Sequence, residues 1–142
     1  NNYGIGQYVE KLIPKSIKFL ELGKLIDLHN HGNPVRTWLH AADTAKAVMS
    51  IIDAGRANEI YNISGNTELP NRDVIKKILH LYHGVEHNDN WETFTTYSAR
   101  QGQDVRYAID DSKLKKLGWL PTADFDQELE QIVNYYRNNF VW

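Results

Sequence analysis

Short strand-like runs alternate with amphipathic helical segments along the sequence, and this alternation restricts the fold class. Four segments have the three- and four-residue apolar spacing of a helix, and they begin near Pro14, Thr44, Asn71 and Asp124. The runs that favour β-strands are all short, at residues 25–28, 35–40, 59–63, 93–97 and 105–109. Such strands cannot build a large parallel sheet by themselves. The sequence therefore predicts a small α/β or mixed α+β unit that packs against other protein.

Several helix ends carry residues that favour capping. Asp43 is predicted as the N-cap of the second helix, and Asn71 occupies the N-cap position of the third. Asp124 is predicted to cap the last helix, because Gln127 follows in the position of a capping box. The predicted core face of this last helix consists of Phe125, Leu129, Ile132, Val133 and Tyr136.

Composition and charge exclude several kinds of protein. The 142 residues include 16 Lys and Arg against 18 Asp and Glu, whereas a nucleic-acid-binding module is expected to be basic. No apolar run approaches the roughly 18 residues of a membrane span, and with 0 Cys the chain has neither disulfides nor a catalytic thiol. We therefore expect no nucleic-acid or membrane partner. Since no signal peptide opens the chain, the expected location is cytoplasmic, and its start within a loop-like stretch favours a piece of a longer protein.

The sequence lacks a complete catalytic or dinucleotide-binding motif. A dinucleotide site needs a glycine-rich turn between a strand and a helix, so that backbone N–H groups approach the pyrophosphate. Gly4 and Gly6 supply two glycines, but Val9 stands where the third would fall. A tyrosine and a lysine four residues apart would share a helical face for proton transfer, and Tyr8 with Lys11 has a different spacing. We therefore predict no catalytic and no cofactor-binding residue in this chain.

Two sets of histidines have spacings that could suit a metal ion. His29 and His31 would lie on one face of a strand, and His80, His83 and His87 recur at helical spacing. No carboxylate has an obvious ligand role beside either set. The favoured interpretation is that these are surface histidines, and we predict no metal site.

Arg36 and Arg100 are the strongest candidates for binding that the residues themselves provide. Each lies in or beside a short loop, Arg36 after the turn at 32–34 and Arg100 before the donor-rich loop at 101–103. Two guanidinium groups that converge from separate loops suit a diphosphate, which accepts paired hydrogen bonds. Ordinary surface ion pairs are the alternative interpretation of both arginines.

Seven motifs in a fixed order resemble those of nucleotide-sugar 4,6-dehydratases, which are extended short-chain dehydrogenase/reductases. The motifs occupy residues 1–4 (N-N-Y-G), 10–14 (E-K-L-I-P), 23–24 (G-K), 35–39 (V-R-T-W-L), 61–65 (Y-N-I-S-G), 100–110 (R-Q-G-Q-D-V-R-Y-A-I-D) and 117–121 (L-G-W-L-P). Together they extend over essentially the whole chain. Motifs such as Y-N-I-G are shared with sugar epimerases, whereas the segments at 10–14 and 100–110 point to dehydratases.

The resemblance implies that residues 1–142 are the C-terminal, substrate-binding half of a two-domain enzyme. A Rossmann domain outside this chain would bind NAD and carry the catalytic carboxylates, tyrosine and lysine. Enzymes of this family convert dTDP-glucose to dTDP-4-keto-6-deoxyglucose. The implied partners are dTDP- or UDP-glucose, the Rossmann domain and a second copy of the complete protein, because family enzymes are commonly homodimers. A nucleotide-sugar epimerase and a non-catalytic sugar-nucleotide-binding or assembly module remain the alternatives.

The resemblance also implies which residues bind substrate. They are Asn1, Lys11, Leu12, His29, Arg36, Asn71, Arg100 and Gln103. Arg36 and Arg100 correspond to diphosphate-binding arginines, and Lys11 with Leu12 corresponds to a clasp on the nucleotide. Asn71 corresponds to a nucleotide contact, although a plain helix N-cap explains this residue equally well.

The remaining assignments include departures from the family pattern. Asn1 corresponds to a contact near the diphosphate and the sugar. His29 replaces a tyrosine that stacks on the base, and Gln103 replaces a histidine of the late loop. Thr37 stands where the family has an aspartate, and Ile5 where it has a proline. These differences leave the identity of the base open between dTDP and UDP.

Overall fold

A central strand organises the sheet that positions the candidate site. The computed structural model describes residues 1–139, with residues 85–89 described by their backbone alone. The strands are β1 (Asn2–Tyr3), β2 (Ile26–His29), β3 (Val35–His40), β4 (Thr67–Pro70), β5 (Thr95–Ser98) and β6 (Arg106–Tyr107). The α-helices are α1 (Leu12–Glu21), α2 (Ala41–Ala54), α3 (Asn71–His83), α4 (Ser112–Lys115) and α5 (Phe125–Asn138). Segments of 3₁₀ helix lie at Asn30–Gly32 and Val85–Phe94.

Strand β3 pairs with three other strands. It is parallel to β1 and β6 and antiparallel to β4. Strands β2 and β5 form a separate parallel pair. The register of β3 with β6 sets Arg36 opposite Tyr107, and β4 leads directly into α3. The predicted mixed α/β architecture is confirmed, and its short parallel pairings bring residues far apart in sequence to one place.

The main hydrophobic core lies where α1, α3 and α5 pack together and against the sheets. Ile17, Ile78 and Leu129 are fully buried in it. All five residues of the predicted α5 core face are buried, so this prediction is confirmed. Removing this apolar area from water is the main stabilising contribution to the fold. Within the described part of the chain, no helix is long and apolar enough to cross a membrane.

Helix α2 packs on a smaller second core and exposes an apolar outer face. The second core consists of Leu39, Ala47, Leu114 and Trp119, with Ile51, Tyr61, Ile63 and Leu117 packed around it. On the outer side, Met49 is 55% exposed and Ile52 is 70% exposed. Isolated exposed apolar residues are common on proteins, but neighbouring ones on one helix are typical of a surface that other protein covers.

Two predicted strands differ from the structure. Residues 59–63 are not a strand, because they pair with no other described strand and Ile60 is 84% exposed. Tyr61 and Ile63 instead pack on the second core, which accounts for the apolar alternation in this segment. The predicted strand at 105–109 is reduced to Arg106–Tyr107, because β3 offers it partners only at Val35 and Arg36.

Two predicted helix caps are wrong and one is confirmed. Helix α2 begins at Ala41, so its N-cap is His40, whose Nδ1 accepts a hydrogen bond from the Ala42 N–H at 3.4 Å. Asp43 lies inside the first turn and is buried. Asn71 is the first residue of α3 and Pro70 is the N-cap. Asp124 does cap α5, because its Oδ1 accepts a hydrogen bond from the Gln127 N–H at 2.9 Å.

Candidate functional site

A cleft of about 350 Å³ lies between the first residues of the chain, strand β3 and the N-terminal ends of α1 and α3. Its lining consists of Asn1, Asn2, Gln7, Lys11, Leu12, Arg36, Trp38 and Asn71. Five of the eight sequence-predicted binding residues therefore line one cleft: Asn1, Lys11, Leu12, Arg36 and Asn71.

The two helix ends give this cleft a favourable electrostatic environment for an anion. Lys11 is the N-cap of α1 and Leu12 its first residue, while Asn71 begins α3. The first N–H groups of a helix lack partners within the helix, and the helix dipole is positive at this end. The exposed Lys11 adds a full positive charge. Phosphate groups bind well to such an arrangement.

Arg36 is the buried charge of the cleft. It is 6% exposed, and its Nη1 donates to the backbone oxygens of Val35 at 2.7 Å and Asp104 at 3.1 Å. The guanidinium carbon lies 4.2 Å from the centre of the Tyr107 ring. Among the described residues, no carboxylate forms an ion pair with Arg36 or Arg100. A buried guanidinium without an anionic partner is costly, so the geometry suits an anion supplied from outside the chain.

The other three predicted residues lie outside the cleft, on and beside an adjacent loop. Asn30 holds this loop, because its Nδ2 donates to the Arg100 backbone oxygen at 3.2 Å and to the Gln103 Oε1 at 2.9 Å. The Asn30 Oδ1 also accepts a hydrogen bond from the Arg100 N–H at 3.2 Å. His29 precedes Asn30, is exposed, and lies 3.7 Å from the Asp27 carboxylate. The loop is thus fixed through its backbone while the Arg100 side chain stays exposed.

Tyr107 connects the two groups of residues. A hydrogen bond to Asp104 raises the pKa of Tyr107, and the positive charges of Arg36 and Arg100 act in the opposite direction. Tyr107 is therefore within electrostatic reach of both arginines, and Arg36 contacts its ring directly. Sequence reasoning missed Tyr107 and Asn30. The one available signal for Asn30 was that it lies in a turn rich in asparagine and glycine. In the structure Asn30 adopts the positive φ of 50° that such a turn favours.

The described residues do not fit a dinucleotide such as NAD. Gly4 and Gly6 adopt positive φ values of 155° and 83°, but they follow a strand of only 2 residues, and the next helix begins at Leu12. The strand–turn–helix unit that presents N–H groups to a pyrophosphate is therefore not formed here. In the part of the chain with described side chains, no three His, Cys, Asp or Glu residues group so as to hold a metal ion. The side chain of His87 lies outside the described residues.

A larger groove of about 620 Å³ lies between α3 and α5, and none of the predicted residues lines it. Charges of both signs occur in this α3–α5 groove, and the Lys77 Nζ lies 2.8 Å from an Asp126 carboxylate oxygen. Because these charges already pair with each other, the groove offers no concentrated field for an anion. The smaller cleft at Arg36 is the better candidate site.

Comparison with known proteins identifies the family. Residues 1–132 match the family model described as GDP-mannose 4,6 dehydratase. The chain belongs to this family. A curated relative within the matches is dTDP-glucose 4,6-dehydratase from Escherichia coli, which is 38% identical over 100% of this chain. The chain spans only 41% of the length of that relative, which fits the predicted C-terminal half.

Solved structures share the fold described above. The crystal structure of dTDP-glucose 4,6-dehydratase from Bacillus anthracis in complex with NAD superimposes with a TM-score of 0.86 and 37% identity, over 98% of this chain and 43% of that chain. A UDP-glucose 4-epimerase from Thermotoga maritima also superimposes, with a TM-score of 0.81 over 97% of this chain and 44% of that chain. Its identity is 21%, so this second likeness shows the shared fold alone.

Proposed function

We propose that this chain is the substrate-binding part of an NAD-dependent nucleotide-sugar 4,6-dehydratase, which converts dTDP-glucose to dTDP-4-keto-6-deoxyglucose. One observation carries the proposal, the buried Arg36 that lines the cleft with no carboxylate partner among the described residues. The identity with the Escherichia coli dehydratase supports this reaction over that of an epimerase. The similarity to the UDP-glucose 4-epimerase is a similarity of fold alone.

In this proposal the cleft binds the diphosphate of the nucleotide sugar. Arg36 and Lys11 neutralise the two phosphate charges, and the starts of α1 and α3 contribute the positive ends of their helix dipoles. Asn1 contacts the diphosphate and sugar, and Leu12 and Asn71 contact the nucleotide. These residues bind and orient the sugar without taking part in its chemistry.

The loop beside the cleft completes the proposed site. Arg100 projects from a backbone held by Asn30 and supplies the second guanidinium for the diphosphate. Gln103 contributes a neutral amide, and His29 offers a small aromatic ring toward the base. A smaller ring stacks less strongly than tyrosine, so we expect weaker discrimination by stacking on the base.

The chemistry itself is proposed to reside on a Rossmann domain that packs against this chain. NAD bound there would accept and return a hydride, and the residues described here do not form its site. The exposed face of α2, with Met49 and Ile52, together with Ile60, offers an apolar surface for such a domain. We further propose that the complete protein is a homodimer.

Calorimetric titration of dTDP and UDP into the complete polypeptide tests the binding role. Replacing Arg36 by alanine should weaken binding by about 1.5–3 kcal/mol, or roughly 10- to 150-fold in Kd, because a charge-assisted pair of hydrogen bonds is lost. Arg106→Ala is the matched control, since Arg106 lies in neighbouring β6 but is exposed and already paired with Glu68. Equal Kd values for the Arg36→Ala variant and the wild type would refute the role of the cleft. Product analysis with dTDP-glucose and UDP-glucose would then distinguish a dehydratase from an epimerase.

A further inference from the structure

The orientation of the Arg36 guanidinium is set from two directions. Its guanidinium carbon lies over the Tyr107 ring, 4.2 Å from the ring centre, and its Nη1 donates hydrogen bonds to two backbone oxygens. Stacking fixes the plane of a guanidinium, while the two hydrogen bonds fix its rotation within that plane. Little freedom remains for the group, although arginine is otherwise one of the most flexible side chains.

The remaining donors of Arg36 are left for a ligand. Its Nε and Nη2 make no hydrogen bond with the described residues, and both keep some contact with solvent. These two nitrogens form one edge of the guanidinium fork, the geometry that binds two oxygens of a phosphate together. Because Arg36 lines the cleft, the Nε–Nη2 edge is the part of the guanidinium that is available to a ligand there.

The position of Tyr107 is itself fixed through its backbone. Tyr107 pairs with Arg36 across β3 and β6, and its backbone oxygen accepts a hydrogen bond from the Thr37 Oγ1 at 2.9 Å. The Asp104 carboxylate interacts with its hydroxyl and raises the pKa of Tyr107, and the Asp104 backbone oxygen accepts a hydrogen bond from the Arg36 Nη1. Tyr107 and Asp104 thus form one support under the guanidinium. Tyr107 is about half exposed, so it is not a core residue.

We propose that Tyr107 is a positioning residue, which orients Arg36 so that the Nε–Nη2 edge is presented to the diphosphate. The inference rests on the proposed function for its ligand, but the geometry of the stack is independent of it. A guanidinium held in place before binding loses less conformational entropy when the diphosphate arrives, so affinity rises without a new contact to the ligand.

Two substitutions in the complete polypeptide separate the ring from the hydroxyl. Tyr107→Phe keeps the stack and should leave the Kd for dTDP within about twofold of the wild type. Tyr107→Leu removes the ring contact and should raise the Kd about fivefold, the effect expected for one partly exposed cation–π contact. Tyr135→Leu, which removes a similarly exposed tyrosine on α5, is the control and should leave the Kd unchanged.

A double variant shows whether Tyr107 acts through Arg36. In an Arg36→Ala background, Tyr107→Leu should cause no further loss of affinity, because the group that it orients is gone. A full additional fivefold loss would overturn the inference, since Tyr107 would then contact the ligand itself or support the site in general.

Side-chain ¹⁵N relaxation of Arg36 tests the positioning without any ligand. Tyr107→Leu should lower the order parameter of the Arg36 Nε–H vector, and Tyr107→Phe should preserve it. An unchanged order parameter in Tyr107→Leu would overturn the inference even if Arg36 binds the diphosphate. If Arg36→Ala leaves the Kd unchanged while the order parameter falls as expected, the proposed function fails and the positioning by Tyr107 stands.

Discussion

Replacing Asp43 by alanine should destabilise the fold more than most single substitutions. Its Oδ2 accepts hydrogen bonds from the N–H groups of Thr122 at 2.9 Å and Ala123 at 2.8 Å. Its Oδ1 accepts from the Thr122 hydroxyl at 2.9 Å and from the Lys46 Nζ at 3.3 Å. The carboxylate is 1% exposed and joins α2 to a loop nearly eighty residues further along the chain. It therefore ties α2 to the segment at 122–123, close to Trp119 of the second core.

The magnitude follows from what the substitution leaves behind. Alanine removes the acceptor of two backbone N–H groups, and each unsatisfied buried donor costs about 1–3 kcal/mol. We expect Asp43→Ala to lower the free energy of unfolding by about 3 kcal/mol. Asp43→Asn keeps an oxygen acceptor but loses the charge, so its loss should be about half as large. Urea titration followed by circular dichroism measures both, with the slope m as a check for two-state unfolding.

The same carboxylate gives a pH dependence of known sign. Burial alone would raise the pKa of Asp43, but the hydrogen bonds from Ala123 and Thr122 outweigh it and hold the pKa below its usual value. The charged form is therefore favoured by folding. Its contribution is present at neutral pH and is lost as the pH falls below about 4, through the lowered pKa. Asp43→Asn should flatten this acid limb. A loss of less than about 1 kcal/mol in Asp43→Ala would refute the reasoning.

Two further substitutions test the packing of the chain. Gly65→Ala should prevent stable folding or cost more than about 3 kcal/mol, because an added Cβ would lie 1.8 Å from the Trp38 backbone oxygen. Either β3 or the segment around Gly65 would have to shift to relieve the overlap. A thermal midpoint equal to the wild type would contradict this. Ile78→Ala should cost about 2–5 kcal/mol in urea titration, because Ile78 is fully buried in the main core. Ile78→Val is its control, with an expected loss of about 0.5–1.5 kcal/mol, and equal losses for the two variants would show that this site relaxes around a cavity.

Local patterns predicted the helices well because their signals lie within the helices themselves. The spacing of Phe125, Leu129 and Tyr136 determines which face of α5 is apolar, and this face is buried in the structure. Asp43 shows where local reasoning ends. An aspartate before an apolar helical pattern is typical of an N-cap, but its partners at Thr122 and Ala123 come from a distant segment. No local pattern indicates that contact.

The candidate site was predictable only in part for a similar reason. The family resemblance identified Lys11, Arg36 and Asn71 as binding residues. The structure brings them together because β3 pairs with β4, and β4 leads into the start of α3. Tyr107 was missed because its position under Arg36 depends on the pairing of β3 with β6. Its exposed aromatic ring carries no signal in the sequence that distinguishes it from an ordinary surface tyrosine.

A crystal structure of the complete polypeptide with dTDP-glucose tests the central claim most directly. The proposal predicts phosphate oxygens about 3 Å from the Arg36 Nε and Nη2, with Lys11 and the start of α1 against the same diphosphate. A diphosphate seated in the α3–α5 groove, or one bound in the cleft without contact to Arg36, would contradict it.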